Sequence, residues 1–356
     1  MEDLFALSQA ATLLDAFVLN KDARCDTKHS APIDWGQRFL EQTALTIQEN
    51  AMLSDVVGIA KGEDERLAVV PKPGVTPDAL ALRLRECETE YERRAEAELD
   101  FPRLYEDLLR LSVAAVQDIF TRETGEEDSA PAELPFDPAQ LGEVYTTKSV
   151  PFCEPWSAQF DLSFESGGDK GRAIACPDPR CLTGPSREAW GRMVATPGAF
   201  YRPWVERAYH ALPHELFHCV QSFTRGFCDS GKWFSEFGAT AVSVNLLHYM
   251  ACSQEFREAH PAAKSLLPQG FLEELMVDLE REASHLRESF RGTEWVETLY
   301  ARWAGSFGRE APERLTSVEG ASYYAKNRIA LDAPYIEGVE KSEYRVLMLK
   351  CLDSHK

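Results

Sequence analysis

Hydrophobic residues recur at helical spacing through the first 122 residues of the chain. Thr76 and Pro77 are typical of a helix start, because threonine caps free N–H groups and proline fits the first helical position. The spacing also predicts an earlier helix over 35–60, so we expect a helical N-terminal region. The apolar stripes after Thr76 are formed by Leu80, Leu84, Cys87, Tyr91 and Ala95, and then by Leu104, Leu108, Leu111, Ala115 and Ile119.

The pattern changes at residues 122–138, which are rich in Glu, Asp, Pro and Ala, a composition typical of a linker. After it, short extended segments are predicted at 143–150, 160–164 and 172–176, the last two joined by a turn at 166–169. Helices return from Pro203, and one of their apolar faces is formed by Leu272, Leu275, Leu279 and Leu286.

A small sheet followed by helices predicts an α+β fold rather than a doubly wound one. We expect a helical N-terminal region at 1–130 and a mainly helical domain with a small mixed sheet at 140–356. The division lies at the predicted linker.

The chain is strongly acidic, with 38 Lys and Arg against 58 Asp and Glu and no basic cluster. Nucleic acids and anionic membranes are therefore not expected as partners, because both need concentrated positive charge. The first 20 residues lack a signal peptide's basic start, and no window approaches the roughly 18 apolar residues of a membrane span. With nine cysteines at irregular spacing, we expect a cytoplasmic protein, or one exported without such a signal. The oligomeric state stays open.

The most informative stretch is an HExxH pattern formed by His214, Glu215 and His218. Two histidines four positions apart lie on the same side of a helix and can bind one cation together. Imidazole suits zinc, and two such ligands leave room for a third protein ligand and a water. Glu215 lies on the adjoining face, where its carboxylate can accept a proton from that water without binding the metal.

The sequence HELFHCVQ, followed by WFSEFGATA, resembles the paired helices of gluzincin metallopeptidases. The resemblance implies a zincin-like catalytic domain, one zinc ion per chain and Glu236 as the third ligand, 18 positions after His218. Phe237 stands where many gluzincins have glycine. The Gly-x-Met-Glu-Asn segment of the aminopeptidase members is not found, which favours an endopeptidase acting on peptides or proteins.

Other residues could compete as metal ligands. Asp229 could replace Glu236, although glycine and serine flank it and give it little support. Gln221 and Thr224 occupy the places where a metzincin needs Gly and His, so that arrangement is excluded. His210 lies four residues before His214, but we expect Pro213 to interrupt a continuous stripe of three histidines. A second metal site is not expected, because Cys153, Cys176 and Cys181 lack the paired CxxC spacing of structural zinc sites.

Peptide hydrolysis at such a site also needs a donor for the oxyanion that develops on the attacked carbonyl. Tyr324, within the sequence YAKN, resembles the catalytic tyrosine of several gluzincins, with Asn327 in place of glycine. Tyr300 and His248 are the alternatives, although a packing role is favoured for both. We also expect the strand at 172–176 to offer an edge to an extended substrate.

These patterns predict a zinc-dependent metallopeptidase in which Glu215 activates a water. The alternative is a binding or regulatory protein that keeps the zincin scaffold without turnover, and the presence of Glu215 speaks against it. A purely helical interaction protein with a chance motif is a third possibility, disfavoured by the Trp-x-x-Glu sequence that ends at Glu236. The N-terminal helices would either recognise substrate or cover the cleft.

Overall fold

The computed structural model describes Leu4, Leu7 and residues 54–61, 67–121, 137–147, 164–166, 172–182, 184–193, 198–223, 232–267 and 340–353. Within these residues the fold is mainly helical with two small sheets, which confirms the predicted α+β class. No described helix combines the length and apolarity needed to cross a membrane.

The first sheet is an antiparallel hairpin of β1 (Val57–Lys61) and β2 (Leu67–Pro71). The prediction of a helix over 35–60 is therefore wrong at its C-terminal end, while residues 35–53 lie outside the described residues. Val57 and Ile59 fit the two-residue period of a strand, and pairing across the hairpin outweighs the helical spacing of their neighbours.

The two N-terminal helices that the apolar stripes predict are confirmed as α1 (Pro77–Glu98) and α2 (Phe101–Phe120). Helix α1 begins where the sequence indicates, since the Thr76 hydroxyl accepts a hydrogen bond from the Ala79 N–H at 3.2 Å. All ten residues of the two predicted stripes are buried.

The second sheet contains three described strands, β3 (Tyr145–Thr147), β4 (Phe164–Ser166) and β5 (Arg172–Ala175). Strand β5 pairs antiparallel with β4, as the predicted hairpin requires, and parallel with β3. The order is β3-β5-β4, so the expectation that the strand at 172–176 offers a free edge is wrong. Its backbone groups already bond on both sides, because the chain before the hairpin supplies a second neighbour.

The remaining helices are α3 (Gly184–Met193), α4 (Tyr201–Phe223), α5 (Lys232–Cys252), α6 (Gln254–Ala259), α7 (Ala262–Leu266) and α8 (Lys341–Asp353). Helices α4 and α5 pack on each other. Helix α2 packs against both of them, and α8 packs against α5 and α2. One hydrophobic core joins α1 and α2 to α4, α5 and α8, and it includes Trp204, Tyr209, Phe217, Tyr249 and Tyr344.

The division into 1–130 and 140–356 stays a prediction, because residues 122–136 lie outside the described part of the chain. The predicted apolar face with Leu272, Leu275, Leu279 and Leu286 lies outside it as well.

Helix α4 receives its N-terminal cap from a different helix. The Glu92 carboxylate, on α1, accepts hydrogen bonds from the Tyr201 and Arg202 backbone N–H groups at 2.8–3.0 Å. These N–H groups have no partner within their own helix, and a negative charge is favoured at a helix N-terminus. One turn earlier on α1, Glu88 pairs with the buried Arg202 at 3.0 Å. Helix α1 therefore fixes the start of α4.

Replacing Glu92 with alanine should lower the free energy of unfolding by about 1–3 kcal/mol, because the two N–H groups lose their acceptor. Chemical denaturation of both proteins measures the difference. Glu90→Ala is the control, since Glu90 lies on the same helix but pairs only locally, with Arg93, among its described contacts. Equal losses in the two variants would mean that α1 itself, rather than the cap on α4, is weakened.

Candidate metal centre

The central part of helix α4 presents two histidines to each other in the protein interior. His214 and His218 are each only 8% exposed, and their Nε2 atoms lie 3.1 Å apart. Their rings meet nearly at right angles, with centroids 4.7 Å apart. The neighbouring Leu212, Leu216 and Val220 are fully buried and hold this segment of the helix in the core. The two nitrogens therefore face one common point.

The separation of these nitrogens tests whether a zinc ion fits. Two nitrogens bound to one tetrahedral zinc at ordinary bond lengths lie about 3.3 Å apart. The observed 3.1 Å is close to this value, so the pair needs only a small adjustment to share a cation. The same distance also allows a hydrogen bond between the rings when no metal is bound.

Glu215 completes a cluster of possible ligand atoms. Among the described residues, His214, Glu215 and His218 form a group in which one atom from each lies within 4.8 Å of the others. Glu215 is half-buried, whereas the two histidines are buried. The prediction that Glu215 lies beside the two histidines agrees with this position.

The end of strand β5 lies near Glu215. Burial, and to a smaller degree the charge of Glu215, raises the pKa of the Cys176 thiol, so the thiol is neutral at pH 7. The next residue is fixed in place, because the Tyr105 hydroxyl donates to the Pro177 carbonyl at 2.7 Å. Trp204 Nε1, on α4, in turn donates to that hydroxyl at 2.9 Å. Buried hydrogen bonds thus hold the segment after β5, at Pro177, against α4, the helix that carries the histidines.

The second nitrogen of His218 also has a buried partner. His218 Nδ1 lies 2.7 Å from the Gln221 Oε1, and Gln221 is 1% exposed. A metal-binding histidine commonly donates its other ring N–H to an oxygen, which orients the ring. In the sequence, Gln221 only excluded a metzincin, and its place beside His218 was missed. The spacing of three residues could have indicated this contact, because it brings Gln221 next to His218 on a helix.

Pro213 lies inside α4 rather than interrupting it. The expectation that it breaks the stripe of histidines is therefore wrong, since His210 and His214 lie on one continuous helix with ring centroids 6.1 Å apart. Proline removes one backbone hydrogen bond, and packing in a well-buried helix can outweigh this loss. In the turn before Pro213, the His210 carbonyl accepts a hydrogen bond from the Ser243 hydroxyl of α5 at 2.7 Å.

Glu236 is the fifth residue of α5, as the predicted second helix requires. Its side chain lies outside the described part of the structure, whereas Gly238, two positions later, is described. A Cβ atom placed on Gly238 would lie 3.4 Å from Gln221 Nε2, which belongs to the amide that contacts His218. The start of α5 therefore lies beside the last two turns of α4.

Several predicted residues lie outside the described residues: Tyr324, Tyr300, Asp229 and Cys153. His248 is buried, and its Nδ1 lies 2.5 Å from the Tyr344 hydroxyl of α8, which agrees with an interior role. Cys176 and Cys181 are free thiols, the first buried and the second exposed.

Comparisons of the chain with protein-family models, with curated proteins and with solved structures found no match.

Proposed function

We propose that the protein is a zinc-dependent metallopeptidase, most simply an endopeptidase, with a zincin-like catalytic domain that binds one zinc ion. The observation that carries the proposal is the facing pair of Nε2 atoms on His214 and His218, with Glu215 beside them. The order of a small mixed sheet and helices, with two long helices packed together, is compatible with that architecture.

His214, His218 and Glu236 would hold the metal. Two imidazoles and one carboxylate are a ligand set that leaves one tetrahedral position for a water or a substrate. The chemistry that zinc supplies in such a site is Lewis acidity, which polarises a carbonyl and makes a water more acidic. Glu236 is the third ligand by the resemblance, and helix α5, which carries it, packs along α4.

The contribution of the chain itself to hydrolysis is proton transfer. Glu215 is half-buried next to the histidines, so its carboxylate can accept a proton from a water that attacks a peptide carbonyl. It can then deliver the proton to the departing amine nitrogen, which must be protonated before the bond breaks. Tyr324 remains the proposed donor to the oxyanion, by its resemblance alone.

We infer a peptide or protein substrate and a cytoplasmic site of action. Nucleic acids and membranes are not expected as partners, because the formal net charge is −20.

The experiment that tests the metal site is elemental analysis of purified protein, combined with zinc titration. We expect about one zinc ion per chain in the parent and a loss of that ion in His214→Ala and in His218→Ala. His260→Ala is the matched control, because His260 lies at the end of α6 and packs on Phe256 instead. That variant should keep the zinc of the parent. A parent protein that neither contains nor gains zinc would overturn the proposal.

A further inference from the structure

We propose that Gln221 is a positioning residue of the candidate metal centre, whose carboxamide keeps the proton of His218 on Nδ1 and leaves the Nε2 lone pair free for a cation. This inference rests on the proposed zinc site. Gln221 acts through His218 and binds neither metal nor substrate.

The carboxamide of Gln221 determines which nitrogen of His218 carries the proton. Its Nδ1 lies 2.7 Å from Gln221 Oε1, and a carboxamide oxygen can only accept a hydrogen bond. The proton must therefore be on Nδ1, and in the neutral ring Nε2 then carries a lone pair. A histidine in water exchanges between its two neutral forms, whereas a buried bond of this kind selects one of them. Gln221 is 1% exposed, so water does not compete for the contact.

The position of the proton on His218 also determines the form of His214. The 3.1 Å contact between the two Nε2 atoms needs one proton between them when no metal is bound. Because His218 keeps its proton on Nδ1, the donor must be the Nε2–H of His214. The two histidines are thus in different neutral forms in the metal-free protein. His218 is already prepared for a metal, and His214 must move its proton to Nδ1.

Gly238 leaves room for the Gln221 carboxamide. A Cβ atom on Gly238 would lie 3.4 Å from Gln221 Nε2 and 3.3 Å from the Cys351 Cβ of α8. Contacts this short are tight for a side-chain carbon, so a larger residue would press on the amide or on α8. Glycine at this point of α5 lets three helices meet behind His218. The amide is therefore enclosed by protein on the side away from the metal.

The test uses two-bond nitrogen–proton NMR correlations of the histidine rings in the metal-free, full-length protein. These spectra distinguish the two neutral forms, and His218→Ala assigns the His218 signals. We expect the Nδ1–H form of His218 and the Nε2–H form of His214 in the parent. Gln221→Met keeps the length of the side chain but removes the acceptor, so His218 should move towards the Nε2–H form. Gln221→Glu restores an acceptor and should retain the Nδ1–H form.

Zinc affinity is measured on the same variants by competition with a chelator. Gln221→Met should bind zinc about 10–100-fold more weakly than the parent, the usual effect of losing a hydrogen-bonding partner of a ligand. Gln221→Glu should remain close to the parent. Gln117→Met is the matched control, because the Gln117 amide also bonds from a helix, to the Pro138 carbonyl at 3.2 Å. It should leave both the ring spectra and the zinc affinity unchanged.

The Nε2–H form of His218 in the parent would overturn the inference, even if the methionine variant did not fold. Unchanged spectra and affinity in Gln221→Met would overturn it as well, while the zinc site would stand. A parent that shows the predicted ring forms but binds no zinc would instead sink the proposed function and support the geometry at Gln221.

Discussion

Replacing Glu215 with glutamine should lower kcat by about 10² to 10⁴ while the zinc content stays at that of the parent. This range is the usual contribution of a positioned general base or acid. Glutamine has the same shape as glutamate but cannot take a proton from water. Because His214, His218 and Glu236 are the proposed ligands and Glu215 is the proposed base beside them, the metal should remain bound. Zinc analysis and cleavage of an unbiased peptide library by the loaded proteins measure the two quantities.

Glu106→Gln is the control for this substitution, since Glu106 is an exposed carboxylate on α2. It should cleave the library at the parental rate. If Glu215→Gln lost zinc together with activity, Glu215 would be a ligand rather than the base. A parent that binds zinc but cleaves no peptide would favour the non-catalytic scaffold instead.

Glu236→Ala should weaken zinc binding by more than about 100-fold. Loss of a hydrogen-bonding partner of a ligand already lowers metal affinity by about 10–100-fold, and removing a direct ligand should lower it further. The substitution replaces a carboxylate side chain by a methyl group within a long helix, where alanine is well tolerated. Chelator competition measures the affinity, and circular dichroism shows whether the helices are retained.

Asp229→Ala separates the two carboxylates that the sequence offers as a third ligand. We expect it to bind zinc as the parent does. If the zinc were lost in Asp229→Ala and kept in Glu236→Ala, the assignment would pass to Asp229. The resemblance at Glu236 would then concern packing only.

Much of the helical fold follows from local patterns. Helix α1 was predictable because Thr76 and Pro77 mark its start and apolar residues follow at helical spacing. In the structure each residue of that stripe is buried. The hairpin of β1 and β2 was not, because its stability comes from pairing between two segments, and the spacing around the first of them also fits a helix. The central place of β5 also depends on which strands meet, which local spacing does not specify.

The candidate site shows the same distinction. His214 and His218 were predictable as a pair, since a spacing of four residues on a helix is enough to bring two rings together. Pro213 was misleading, because its local preference for a helix start is outweighed by the packing of α4. The contact between Gln221 and Gly238 joins two helices and depends on how they cross.

The contacts of helix α8 affect the order in which the chain folds. Its buried Arg345 donates to the Ile119 carbonyl at 3.0 Å, and these residues are 226 positions apart in the sequence. Single helices form within about a microsecond, whereas contacts between distant segments must wait for the chain to close a long loop. Cys351 of α8 also lies against Gly238, behind the amide that orients His218. We therefore expect the two histidines to be on a formed helix early in folding, and their support to be complete only when this distant helix has docked.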